Sequence, residues 1–172
     1  VNDAALFPNH TAASSPSIIS LLRTRQTSLS DTSSPPKSSS IHSHQSRSIL
    51  RGLLKHSYAS LESLVLNDHL PLQPTIDLHP SLPHLRKLKR LDISRIPSIT
   101  DDTLNLISTH IGKRLEVLYV KGLRQISNQG IVHLVKSCCN LRVLDISDVH
   151  QLSDDAGIAI GNNLAKLEVL HG

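Results

Sequence analysis

The segment Leu141-Arg142-Val143-Leu144-Asp145-Ile146 decides the fold, because its apolar spacing recurs along the chain. The spacing has the form L-x-x-L-x-[LIV], and we call its first residue the anchor leucine. Further copies are Leu61/Leu64/Leu66, Leu88/Leu91/Ile93, Leu115/Leu118/Val120 and the incomplete Leu167/Leu170. Successive anchor leucines are 27, 27, 26 and 26 residues apart. A nearly constant period of this length predicts a repeat architecture, in which each unit buries its apolar face against its neighbours.

The period also holds inside the units. Apolar residues come eleven positions after the anchor at Leu72, Ile99, Ile126 and Leu152, and nineteen after it at Ile107, Leu134 and Ile160. The triplet alternates with a period of two, which is typical of a half-buried strand. The residues that follow it have apolar spacings of three and four, as in Leu104, Ile107 and Ile111, which indicate a helix. Each unit is therefore predicted to be a short strand followed by a helix.

Polar residues mark where the predicted helices begin. Thr100, Ser127 and Ser153 occupy positions at which a hydroxyl group can cap the free backbone N–H groups of a helix. Acidic pairs follow two of them, Asp101/Asp102 and Asp154/Asp155, at the positive end of the helix dipole. Because these pairs recur at equivalent repeat positions, we interpret them as helix-capping residues and not as a catalytic acid and base.

The clearest unit runs from Cys138 through Ser147, followed by Leu152-Ser153-Asp154-Asp155, with Cys138 three residues before the anchor leucine. This pattern resembles the cysteine-containing subclass of leucine-rich repeats, found in F-box/leucine-rich-repeat and antagonist-of-mitotic-exit proteins. The resemblance covers about residues 49–172. It implies an α/β fold, a right-handed leucine-rich-repeat solenoid with parallel strands on the concave face and helices on the convex face.

The sequence departs from this subclass in two ways. Eight positions after the anchor, where the subclass often has a second cysteine, the chain has Ile96, Leu123 and Val149. These residues predict an apolar ladder in place of a polar one. In the first unit the helix is interrupted by Pro71, Pro74, Pro80 and Pro83, so that a largely irregular connection is expected there.

Composition divides the chain into two parts. Residues 1–47 are rich in serine and proline and poor in apolar residues, which predicts a mostly disordered segment. Within it, Ser28 follows Arg23 and Arg25 at a spacing that basophilic kinases prefer, so it is a candidate phosphorylation site. Residues 48–172 are predicted to hold about four to five repeats, truncated at the C-terminus. Ser48 to Ser57 is expected to be the last helix of an incomplete preceding unit.

The composition of the 172-residue chain favours some classes of protein over others. It contains 29 leucines and 15 isoleucines but only three aromatic residues, so its core is predicted to be aliphatic. The net charge of +4 is spread evenly, and Lys and Arg do not alternate with aromatic residues, which argues against a nucleic-acid partner. No apolar run is long enough to span a membrane. The only two cysteines, Cys138 and Cys139, are adjacent, which favours a reducing, intracellular compartment, cytoplasmic or nuclear.

Catalytic motifs are not found in the sequence. There is no glycine-rich phosphate loop and no nucleophile elbow. Of the eleven histidines, His42, His44, His79 and His84 lie in predicted loops without carboxylate or thiol partners at metal-ligand spacing. Cys138 is interpreted as a small core residue at the end of a helix. We therefore expect a protein that is not an enzyme and that has no cofactor and no metal.

The candidate binding residues lie between the buried strand positions. In each strand, the residues between the buried positions are predicted to point to the concave face, together with a flanking row that includes Lys121. This places the candidate partner-binding residues there: Arg90, Asp92, Val117, Tyr119, Lys121, Val143, Asp145 and His171. Tyr119 is the best single candidate, because an aromatic side chain beside charges and an apolar strip is typical of protein-binding surfaces. In the alternative interpretation, the valines satisfy strand propensity and the aspartates remain solvated.

The sequence is consistent with two candidate functions. The resemblance implies a non-catalytic protein-interaction module, the substrate-recognition repeat region of an F-box-type ubiquitin-ligase subunit. Its partners would be ubiquitin-ligase components and a substrate protein. The alternative is a structural or assembly subunit that uses the same repeat arc to dock within a larger complex.

Overall fold

The computed structural model describes residues 52, 60–66 and 73–172. The segment 1–47 with Ser28, the expected helix from Ser48 to Ser57 except Gly52, and Leu72 lie outside the described residues.

Five short strands form one parallel sheet, in the order in which they follow along the chain. They are β1 (Ser63–Val65), β2 (Arg90–Asp92), β3 (Val117–Tyr119), β4 (Val143–Asp145) and β5 (Val169–His171). Their connections contain α1 (Pro74–Asp77), α2 (Asp101–His110), α3 (Asn128–Ser137) and α4 (Asp154–Asn163), and the 3-10 helices His79–His84 and Gly112–Arg114. The parallel sheet with helices in its connections confirms the α/β prediction.

Rows of aliphatic side chains form the core. The register aligns the central residues of the triplets, Leu64, Leu91, Leu118, Leu144 and Leu170. The first four are fully buried, as are the anchor residues Leu88, Leu115 and Leu141. The predicted apolar ladder at Ile96, Leu123 and Val149 is also buried. Equivalent positions carry side chains of similar shape, so that each row packs against the same kind of neighbour in the next repeat.

Each strand contains three residues and is therefore shorter than the six-residue spacing L-x-x-L-x-[LIV] suggests. The backbone leaves the extended conformation soon after the strand, at a turn with positive φ in three repeats: Arg95 (61°), Gly122 (67°) and Asp148 (59°). All three lie seven residues after their anchor leucine. The turns stack by hydrogen bonds, with Arg95 N donating to Lys121 O and Gly122 N to Ser147 O, both at 2.8 Å. This inter-repeat pairing holds Arg95 in a conformation that non-glycine residues rarely adopt.

The first connection is more ordered than the prolines suggested. Residues 74–84 form the single turn of α1 and a 3-10 helix, so the expectation of a largely irregular segment is wrong for this part. Pro74 lies at the start of α1, where its missing N–H would have no partner within the helix. The buried Leu78, Leu82 and Leu85 attach these turns to the core.

Two of the three predicted helix caps are present. Ser127 Oγ accepts a hydrogen bond from Gly130 N at 3.4 Å, and Ser153 Oγ accepts one from Asp155 N at 3.3 Å. Thr100 lies at the N-cap position of α2, but its side chain makes no capping hydrogen bond. The prediction that its hydroxyl caps the helix is therefore wrong.

Asp101 also makes a contact beyond its own helix, in addition to its favourable interaction with the dipole of that helix. Its carboxylate reaches the next repeat, where it accepts hydrogen bonds from Ser127 N at 2.8 Å and from Ser127 Oγ at 2.6 Å. Asn128, the equivalent residue of α3, accepts from Ser153 N at 3.3 Å. The first residue of a helix thus binds the N-cap residue of the following helix, and this contact stacks the repeats.

Candidate functional site

The outward-pointing side chains of the five strands form one surface, which we call the strand face. It consists of the first and last residue of each strand: Ser63, Val65, Arg90, Asp92, Val117, Tyr119, Val143, Asp145, Val169 and His171. The register brings Asp92 opposite Tyr119, Tyr119 opposite Asp145, and Asp145 opposite His171. Seven of the eight candidate residues lie on this face, and Lys121 lies beside it, two residues after the end of β3.

Tyr119 lies near the middle of the strand face and is half-buried. The guanidinium carbon of Arg90 is 4.9 Å from the centroid of its ring, which is a cation–π contact between neighbouring strands. This contact restricts both side chains before any partner arrives, so that less conformational freedom would be lost on binding. The pair joins residues 29 positions apart and is not indicated by any local pattern in the sequence.

The two aspartates of the face are held by their own turns. Asp92 Oδ1 accepts a hydrogen bond from Ser94 N at 3.0 Å, and Asp145 Oδ1 accepts one from Ser147 N at 2.9 Å. The interpretation that they merely remain solvated is therefore incomplete. Each carboxylate belongs to the last residue of its strand and is oriented by the turn that follows.

The remaining members of the face differ in exposure and pairing. Lys121 Nζ lies 3.6 Å from Asp148 Oδ2, in a solvent-exposed ion pair. Val117 and Val143 are half-buried, whereas Val169 and His171 are exposed. The face therefore has fixed charges of both signs, one aromatic ring and an apolar strip.

A second surface was missed by the sequence analysis. Along the edge at which the chain enters the strands, a groove of about 710 Å³ is lined by seven basic side chains, two glutamates and an asparagine. We call it the basic groove. Five of its cations precede anchor leucines by one or two residues and are exposed: Arg86, Lys87, Lys113, Arg114 and Lys166. These five residues form the outer row of the groove.

The sequence signal for the basic groove is periodic and not local. Lys and Arg form no long run in the chain, so that local composition does not indicate the groove. Residues 26 or 27 positions apart become neighbours when the repeats stack, which gathers the dispersed charges at one edge. Counting charges at a fixed offset from each anchor leucine would have found the groove.

Two further titratable side chains, Cys138 and His79, lie outside the strand face and the basic groove. Cys138 is buried, and burial together with the adjacent Cys139 raises the pKa of its thiol to about 12, which suits a core residue and not a nucleophile. His79 Nε2 lies 3.0 Å from Thr103 Oγ1. Among the described residues, no group of three His, Cys, Asp or Glu side chains is placed to hold a metal ion.

The helices in the described ranges are all too short or too polar to cross a membrane.

No protein-family model matches the sequence. Among solved structures, the chain is similar to a chain in the crystal structure of the yeast Rad7 and Elc1 complex, with a TM-score of 0.51 and 21% sequence identity. The match covers 70% of this chain and 39% of that one, so this chain spans well under half of its structural neighbour. At this identity the likeness is one of fold alone.

Proposed function

We propose that the chain is a leucine-rich-repeat solenoid that acts as a non-catalytic protein-interaction module and holds a partner protein on its strand face. The observation that carries the proposal is the ordered group at the centre of that face. There Tyr119 packs against Arg90 between the turn-bound carboxylates of Asp92 and Asp145. A restrained aromatic ring with fixed charges around it is the kind of centre from which protein interfaces draw most of their binding energy.

The finer proposal is that these repeats recognise the substrate of an F-box-type ubiquitin-ligase subunit. Its support is the resemblance of the 26 to 27 residue repeat, with Cys138 at its characteristic position, to the cysteine-containing subclass. The fold likeness to a chain that was crystallised within a protein complex agrees with a role in protein assembly.

The strand face is tested by a double variant, Tyr119→Ala with Asp145→Asn. The alanine removes the ring, and the asparagine removes the negative charge while keeping an oxygen that can accept from Ser147 N. We expect loss of the proteins that the tagged wild-type chain retains from a cell extract, measured by quantitative mass spectrometry. The matched control is Gln129→Ala with His133→Ala on the exposed surface of α3, which is expected to retain them.

The outcome separates the two candidate functions. Capture of a cullin and its adaptor together with clients that vary between conditions supports the ubiquitin-ligase function. Constant stoichiometric capture of one complex, lost in the strand-face variant, supports a structural or assembly subunit. Unchanged capture by the strand-face variant would contradict both uses of this face.

A further inference from the structure

The charge of the basic groove is arranged in two rows with different properties. The inner row is formed by the residues that follow the anchor leucines, and its charges alternate in sign. Glu62, Lys89, Glu116 and Arg142 line the groove, and Glu168 continues the row beside it. Lys89 Nζ lies 3.2 Å from Glu116 Oε1, and Arg142 binds Glu168 through two nitrogen atoms at 2.9 and 3.0 Å. The inner row therefore neutralises most of its own charge.

The outer row is positive throughout, and none of its members forms an ion pair with another described residue. Two of its members are held by neutral oxygen atoms: Arg114 Nη2 donates to His110 O at 2.6 Å, and Lys166 Nζ donates to Asn140 Oδ1 at 2.7 Å. Asn140 is itself fixed, because its Nδ2 donates to Lys113 O at 2.7 Å. These contacts position Arg114 and Lys166 without cancelling their charge, so that the positive outer row contains two ordered cations.

We propose that the basic groove binds an extended, acidic segment of a partner protein. With strands about 4.8 Å apart, five repeats give the groove a length of about 19 Å, which matches about six residues of extended peptide. Carboxylate side chains of such a segment would meet the cations of the outer row, and fixed guanidinium and ammonium donors form charge-assisted hydrogen bonds with carboxylates.

The lining favours an acidic peptide over a nucleic acid. Glu62 and Glu116 lie within the groove, where they would repel a continuous phosphate backbone. None of the lining residues is aromatic, so the groove offers no platform on which bases could stack. A peptide can place its acidic residues beside the outer row and avoid the carboxylates of the inner row. This surface is separate from the strand face and goes beyond the function proposed for it.

The test measures binding of a fluorescein-labelled hexaglutamate peptide to the full chain by fluorescence anisotropy at low salt. Saturable binding is expected for the wild type, and Lys87→Glu with Lys113→Glu is expected to weaken it at least about tenfold. The matched control, Arg124→Glu with Lys136→Glu, changes the net charge equally at exposed positions outside the groove and is expected to have a much smaller effect. The milder Lys87→Gln with Lys113→Gln gives a smaller loss in the same direction, and circular dichroism checks that all variants fold.

Four results would overturn the proposal. The wild type could fail to bind hexaglutamate, or it could bind a hexaglutamine peptide equally well. The control variant could lose as much affinity as the groove variant, which would show attraction by net charge alone. A single-stranded oligonucleotide of equal charge could displace the peptide at lower concentration than the unlabelled peptide does, which would assign the groove to nucleic acid.

Discussion

At the scale of single residues, Gly130 shows how closely the repeats approach one another. It lies in the first turn of α3, where alanine would ordinarily be the better helix former. A methyl group at this position, however, would overlap the Asp101 carboxylate of the preceding repeat. That carboxylate binds Ser127 through both of its oxygen atoms, so it cannot withdraw without breaking the contact between the repeats.

Gly130→Ala is accordingly expected to lower the free energy of unfolding by about 1–3 kcal/mol, measured by urea denaturation. Gly157 is the matched control, because it also lies within a helix but has open space where a Cβ would be. Gly157→Ala is expected to stabilise the protein by up to about 1 kcal/mol. If both alanines stabilised the protein equally, the close contact with Asp101 would be contradicted.

The adjacent cysteines are predicted to differ in reactivity. Cys138 is buried with its pKa raised to about 12, whereas Cys139 is exposed. Because the thiolate is the reactive form, one thiol per folded chain should react rapidly with Ellman's reagent at pH 8, and the second only after denaturation. Cys139→Ser should abolish the rapid phase, and a rapid phase that persisted in this variant would show that Cys138 is accessible.

At the scale of elements, the repeats are joined mainly at the starts of helices and at the turns after strands. The Asp101 carboxylate links α2 to the N-cap of α3, and Asn128 makes the weaker equivalent contact to Ser153. The first unit has only short helical turns, and it contacts α2 through the hydrogen bond between His79 and Thr103. The same interface between neighbouring units is thus made with different side chains in different repeats.

The contact of His79 makes the stability of this interface depend on pH. Burial lowers the pKa of His79, and the nearby Asp102 carboxylate opposes this shift in part. The unfolded chain therefore takes up the proton at higher pH than the folded chain does. The contribution of His79 is complete above the ordinary histidine pKa of about 6.5 and is lost as the pH falls through that value toward the folded pKa.

We expect urea midpoints of the wild type to fall between about pH 7.5 and about pH 5.5 more steeply than those of His79→Gln, in which glutamine can still bond to Thr103 but does not titrate. The exposed His133 supplies the control, and His133→Gln should keep the wild-type slope. Identical slopes for wild type and His79→Gln would contradict the assignment of this pH dependence to His79.

At the scale of the whole molecule, the two ends of the described sheet differ. The central leucines of β1 to β4 are fully buried, but Leu170 of β5 is 48% exposed. Val169 beside it and Ile158 on α4 are also exposed, at 39% and 61%. The apolar rows that run through the core therefore reach solvent at β5, which is an outer strand of the sheet. Exposed apolar edge strands favour association between chains.

For the chain of 172 residues taken by itself, association through β5 is expected to make the sedimentation coefficient rise with concentration. Ile158→Lys with Leu170→Lys should suppress this rise, because charges on an edge oppose strand pairing between chains. Ile76→Lys, at a 45% exposed position on α1, is the control and should leave it unchanged. An equal concentration dependence of the sedimentation coefficient in all three chains would show that β5 does not mediate association.

The sequence by itself determined the repeat, the alternation of strand and helix, the aliphatic rows and the position of Tyr119 on the strand face, because a fixed period of leucines leaves few ways to bury them. Only the tertiary structure decided the contacts between side chains that lie one repeat apart. These include the Arg90–Tyr119 pair, the Asp101 contact that requires Gly130, and the basic groove. Periodicity indicates which residues are stacked, but the distances and directions of their side chains, and hence their charge pairing, arise only when neighbouring repeats pack.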